Sequence, residues 1–100
     1  MTGTRTFVQK LTDFFKAMGN EKRQEILLAI FSDRKEHNIT EVAGRAGIAQ
    51  STASEHLFIL KRAGVLTSRK VEKEVYYKMD TQGILRIVEE IKAALKCCED

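Results

Sequence analysis

Seven consecutive residues, Gln50-Ser51-Thr52-Ala53-Ser54-Glu55-His56, carry side chains that can bond nucleic-acid bases, with Ala53 alone lacking a polar side chain; the plainer reading of the run is a solvated helix start. Gln can pair bidentately with adenine, Ser and Thr can bond base edges or phosphate, and Glu can accept from a cytosine amino group. Glu55 also repels phosphate. A basic segment follows. Lys61, Arg62, Arg69, Lys70, Lys73 and Lys78 stand against Glu72 and Glu74, a local charge of +4. Within it Arg69, Lys70 and Lys73 are the candidates for phosphate contact. Lysines on an edge ribbon also block edge-to-edge association, and the two roles are compatible. A third group is the adjacent pair Cys97-Cys98. Soft thiolates suit a thiophilic metal or metalloid. They also suit a redox or reactive-sulfur centre, with Lys96 favouring the thiolate and Glu99 and Asp100 opposing it. In the plainer reading Cys98 packs on an apolar stripe and Cys97 is a surface thiol. His56 has Thr52, Ala53, Ile59 and Leu60 at helical ligand spacing, so packing or phosphate bonding is expected of it rather than metal binding. His37 is expected to be plain surface.

These residues need elements to position them. Phe7, Leu11, Phe14, Phe15 and Met18 repeat as one helical stripe, which Gly19-Asn20 stops. Asn20 caps a second helix burying Ile26, Leu27, Ile30 and Phe31. Thr40 is expected to cap a short third helix that buries Val42 and Ala43 and ends at Gly47. A longer helix then runs from about Gln50 to Ala63 on an Ala53, Leu57, Leu60 stripe. Short helix, tight turn and longer helix make a helix-turn-helix. The period then changes to β-branched and aromatic residues, predicting a hairpin over about 65–71 and 75–79, although its turn lacks Asn-Gly or Asp-Gly. Asp80 or Thr81 caps the last helix, whose stripe is Ile84, Ile87, Val88, Ile91, Ala94, Leu95 and Cys98.

The expected fold is therefore mainly α with a small β-hairpin: about five helices plus a two-stranded wing, with residues 1–6 a flexible tail and 7–100 one domain. One hundred residues bury a thin core, which a second copy would extend. They leave little enclosed volume for an enzyme, and neither a nucleophile–base pair nor a phosphate-cradling Gly loop is present. The longest apolar run, Ile26–Phe31, is six residues, so no membrane association is expected. The first residues hold no apolar signal region, so a cytoplasmic protein is expected. Two adjacent cysteines cannot staple distant segments. The net charge of +3 averages a basic hairpin with a last segment, from Met79 onward, of three basic and five acidic residues.

The order of elements, with the run from Gly47 to Asp80, resembles the ArsR/SmtB family of winged-helix repressors. Met18-Gly19, Arg23 and Ile26-Leu27 resemble the family's entry into its second helix. Ser51-Thr52-Ala53-Ser54, His56-Leu57 and Leu60 resemble its recognition helix, Ala63-Gly64-Val65-Leu66 the exit from it, and Val75-Tyr76-Tyr77-Lys78 the returning wing strand. The likeness covers about Phe7 to Leu95. Ala49 departs from it where a Ser cap is frequent, and Glu72-Lys73-Glu74 where the wing often holds Gly.

The resemblance implies a homodimer formed by the first and last helices through Phe7, Leu11, Phe14, Ile84, Val88, Ile91 and Leu95. It implies binding to double-stranded DNA at a palindromic operator, and release by an inducer. The Cys-x-Cys of metal-binding relatives is missing from Ile39-Thr40-Glu41-Val42-Ala43, and the last helix has no His for a zinc- or nickel-type site. Cys97-Cys98 instead resembles the cysteine pair of some arsenic sensors, without the further Cys those place beyond it. As(III), Sb(III) or another soft metal is the inducer this implies, with another donor completing the site. The alternatives are thiol-based redox sensing, or a protein-interaction module in which Phe58, off the core stripe, is exposed and the thiols have no sensing role.

Overall fold

A computed structural model describes residues 6–96 of the chain. Helix α1 (Phe7–Met18) starts at Thr6, which caps it rather than belonging to a tail. Thr6 Oγ1 accepts from the Gln9 N–H, and Gln9 Oε1 accepts from the Thr6 N–H. This reciprocal box satisfies two N–H groups that a helix start leaves open. Asn20 Oδ1 accepts from the Arg23 N–H and starts α2 (Glu21–Glu25). The expected second helix is not uniform. It widens into a π-type turn over Ile26–Ile30 and tightens into a 3₁₀ turn over Phe31–Asp33. Ile26, Leu27, Ile30 and Phe31 are all buried, as their spacing predicts.

The largest departure from expectation follows. His37–Asn38 forms a short strand β1 that pairs antiparallel with β3 (Glu74–Met79). The wing is thus part of a three-stranded sheet of order β1-β3-β2, with β2 at Leu66–Val71, rather than a two-stranded ribbon. His37 is 5% exposed and not plain surface. Its Nδ1 lies 2.6 Å from Glu41 Oε2 and its Nε2 2.9 Å from Asp33 Oδ2, and Phe31 lies edge-on to the ring at 5.2 Å. The backbone N–H of Lys35, and then His37, hold the Asp33 carboxyl below its ordinary range.

Asn38, not Thr40, caps α3 (Ile39–Ala46): its Oδ1 accepts from the Glu41 N–H at 2.8 Å. Thr40 lies inside the first turn because the strand delivers the chain two residues earlier than propensity alone suggests. Gly47, at φ +70°, ends α3 in the left-handed region where glycine has no steric penalty. Helix α4 (Gln50–Arg62) buries Ala53, Leu57 and Leu60. The hairpin turns at Glu72-Lys73, with Glu72 at φ +57°, the sign a two-residue turn needs at its first central position. Asp80 Oδ1 accepts from the Gly83 N–H and opens α5 (Thr81–Lys96).

The core lies where α2 and its following turns, α3, α4 and the sheet meet. Phe31, Ile26, Leu57, Leu60, Val42 and Val65 are its largest fully buried side chains. α1 buries only Ala17, and α5 only Gly83 and Ile87. Phe7, Val8 and Phe15 on α1, and Leu85, Val88 and Leu95 on α5, stay exposed. Leu11, Phe14, Ile84 and Ile91 are half-buried against the core.

Candidate nucleic-acid interface

The apolar stripe of α4 faces inward, so its polar residues must face out. Ser51, Thr52, Ser54 and Glu55 line one open hollow together with Phe58. Gln50 belongs to a neighbouring hollow with Ile39, Thr40, Lys73, Glu74 and Val75. The tip of the wing and the first residue of α4 are thus brought to one place, although the sequence separates them by more than twenty residues. Ala49 supplies no side-chain cap, so the first N–H groups of α4 are left open there. Backbone N–H groups at a helix start and a nearby ammonium favour an anion.

Strand alternation divides the basic residues of the wing. Lys70 is registered against Val75, and Arg69 against Tyr76. Partners across a strand pair share a face, so Lys70 lies on the side of Val75, toward the hollow with Gln50. Arg69 is on the opposite side. Its Nη2 donates to Glu36 Oε1 at 2.9 Å and its Nε donates to Glu36 Oε2. The guanidinium holds the Glu36 carboxyl below its ordinary range, and the carboxylate raises the Arg69 value in return. Of the three wing cations singled out from sequence, the structure sets Lys73 in one hollow with Gln50, registers Lys70 against Val75 of that hollow, and ties Arg69 to an acidic partner.

His56 does not join the hollow of Ser51 and Glu55. It is half-buried, and its Nδ1 lies 3.3 Å from Arg23 Nη1. Arg23 also donates through Nε to the Ala17 carbonyl at 2.8 Å and through Nη2 to the Lys16 carbonyl. A guanidinium only donates, so Nδ1 accepts and the ring proton sits on Nε2. Burial first, and the Arg23 charge second, lower the His56 value, which agrees with a neutral ring. Sequence reasoning did not give Arg23 or Glu36 a role. Each partnership spans 33 positions, and only the fold closes it. The Asp33, His37, Glu41 cluster does have a local signal, four-residue spacing on both sides of the histidine.

Among the described residues no group of three or more His, Cys, Asp or Glu is arranged to hold a metal ion, and no helix is long and apolar enough to cross a membrane. Cys97 and Cys98 lie outside the described residues.

Known proteins share this arrangement. The family described as bacterial regulatory protein, arsR family, matches residues 20–68. The transcriptional activator HlyU of Vibrio cholerae serotype O1 is 31% identical over 80 residues, covering 80% of this chain and 72% of that one. A cadmium resistance transcriptional regulatory protein, the CadC homolog of Staphylococcus aureus, is 35% identical over 75 residues, or 75% of this chain and 61% of its own length. Among solved structures, a homodimeric winged helix-turn-helix DNA-binding domain from Mycobacterium bovis, described as a possible ArsR-family transcriptional regulator, matches with a TM-score of 0.70 at 21% identity. That alignment covers all of this chain and 94% of that one.

Proposed function

The chain belongs to the ArsR family of bacterial regulatory proteins, and from that premise we propose that it is a homodimeric, cytoplasmic repressor that occupies a palindromic operator and is released by an inducer. It is a winged helix-turn-helix transcriptional regulator and not an enzyme. The observation that carries the DNA reading is the shared hollow of Gln50 and Lys73. It sets a wing cation beside the open start of α4, while Ser51, Thr52, Ser54 and Glu55 offer base-reading groups on the adjoining face. Gln50, Lys70 and Lys73 serve this contact directly. His56 serves through its Nε2–H, and Arg69 at the far side of the wing.

The apolar faces of α1 and α5 support the dimer. Phe7, Val88 and Leu95 remain exposed in the single chain, flanked by half-buried Leu11, Phe14, Ile84 and Ile91. Covering them with a second copy removes an apolar surface of the kind that marks an interface. Two α4 helices can then meet half-sites about one turn, ~34 Å, apart. Repression is the expected sign of control, although one relative is named an activator. A promoter reporter assayed with and without the protein measures that sign directly.

The inducer we assign to Cys97 and Cys98 is As(III), Sb(III) or another soft metal. The chemistry of paired thiolates supports this choice, with one further donor from the second subunit or solvent. The likeness to a regulator named for cadmium resistance points the same way. Anisotropy titrations of the full chain against a duplex enriched from a randomised pool test the central reading. Affinity should fall steeply with salt as counterions are released. Absence of binding to any duplex above the non-specific level would overturn it.

A further inference from the structure

Phe58 is 59% exposed, two turns into α4. Outside α1 and α5, the other large apolar side chains exposed among the described residues are Leu28 and Val71. Leu28 lines a hollow with Glu21, Gln24, Glu25 and Ala29, whereas Phe58 lines one with Ser51, Thr52, Ser54 and Glu55. The core stripe of α4 is complete without it: Ala53, Leu57 and Leu60 are buried and turned the other way. Nothing in the packing of the domain therefore accounts for an aromatic ring at this position.

We propose that Phe58 is a specificity-determining residue that reads a thymine through its C5-methyl group. The inference rests on the DNA reading above. Ser51, Glu55 and Phe58 fall at i, i+4 and i+7, one stripe of the helix. At 1.5 Å per residue the stripe is about 10.5 Å long, close to three base steps of ~3.4 Å. A helix lying in the major groove thus carries its hydroxyl and carboxylate toward one base and its ring toward another. The ring has no donor or acceptor, so it cannot take part in hydrogen-bonded readout. The apolar feature of the major-groove edge is the thymine methyl, which cytosine and the purines lack. Contact with it would shield both the ring and the methyl from water. Glu55, one turn earlier, meets a cytosine amino group instead, so the stripe discriminates between the two pyrimidines.

The test uses the full-length protein and the duplex that it enriches from a randomised pool. Each thymine is replaced in turn by deoxyuridine, which removes only the methyl group, and affinity is read by fluorescence anisotropy. One replacement per half-site should weaken wild-type binding about four-fold, the size expected for losing one buried methyl. Phe58→Ala should bind the thymine and deoxyuridine duplexes alike. Phe58→Leu, which keeps an apolar side chain and guards against misfolding of the alanine variant, should retain part of the discrimination. The proposal is overturned if no replacement affects the wild type, or if the sensitive replacement weakens Phe58→Ala just as much. Wild-type protein that enriches no duplex overturns the DNA reading itself. Sequence-selective binding without any dependence on the methyl group rejects only the role of Phe58.

Discussion

Replacing Gly83 with alanine should loosen the seat of α5. A Cβ at this position would stand 2.3 Å from the Gly64 carbonyl oxygen and 2.6 Å from Asp80 Oδ2. The first is backbone, held by the left-handed turn at Gly64 (φ +88°), and cannot swing aside as a side-chain tip can. The second belongs to the carboxylate that caps the helix at Gly83. Over-packing of this kind costs about 1–3 kcal/mol. Alanine returns roughly 1 kcal/mol through helix propensity. A net loss of up to about 2 kcal/mol should lower the melting temperature of a 100-residue domain by up to about 16 °C. Gly44 is the matched control: it lies exposed in α3, and a Cβ there meets nothing within 4 Å. Gly44→Ala should gain about 0.5–1 kcal/mol and melt higher. Circular dichroism melts at one fixed protein concentration make the comparison, since association also shifts melting. Gly83→Ala melting above wild type, or Gly44→Ala melting below it, would refute the assigned packing of α5 on the turn at Gly64.

Three further outcomes follow from the interface. Lys73→Ala should reduce the slope of log affinity against log salt by about 0.9 for each subunit, about 1.8 for the dimer, while leaving sequence preference intact; a changed preference with an unchanged slope contradicts the assignment. His56 has its pKa lowered in the fold, so the unfolded chain binds the proton more readily, and wild-type stability should fall as pH drops below the ordinary imidazole value of 6.5. His56→Gln should lose that dependence, and melts at pH 7.5 and 5.5 showing the opposite trend would reject the neutral, Arg23-bonded ring. Arsenite or antimonite should release DNA from the wild type but not from the Cys97→Ser, Cys98→Ser double variant; release from the double variant at the same concentration places the inducer elsewhere, and release by an oxidant alone favours redox sensing.

The helices were legible because apolar residues repeat at helical spacing and Gly19, Gly47 and Gly64 punctuate them. The recognition helix was legible for a further reason: its buried stripe uses only Ala53, Leu57 and Leu60, which leaves a polar face visible in one dimension. Strand β1 was not legible. Two residues carry no periodicity, and His37 enters a strand only because Tyr77 lies opposite it. The same strand decided between two capping side chains, Asn38 and Thr40, that propensity ranks closely. The split between Lys70 and Arg69 needed the hairpin register, since one residue of slip exchanges the faces. The partners of His56 and Arg69 stand far off in the chain, and charge counting cannot tell an engaged cation from an available one.

Arg23 ties together helices that the functional reading assigns to different tasks. Its planar fork spans the carbonyls of Lys16 and Ala17, at the end of α1, and the ring of His56 in α4. A guanidinium does not bend, so those three acceptors keep a fixed spacing while its bonds hold. The end of α1 and the middle of α4 therefore shift together. Under the proposed reading, in which α1 faces a second subunit and α4 faces DNA, the two equilibria would be linked through one side chain. Linkage is reciprocal: by whatever factor a change in subunit pairing alters the grip on the operator, the operator alters subunit pairing by the same factor. On that reading DNA would act as an effector of assembly as well as the target of it.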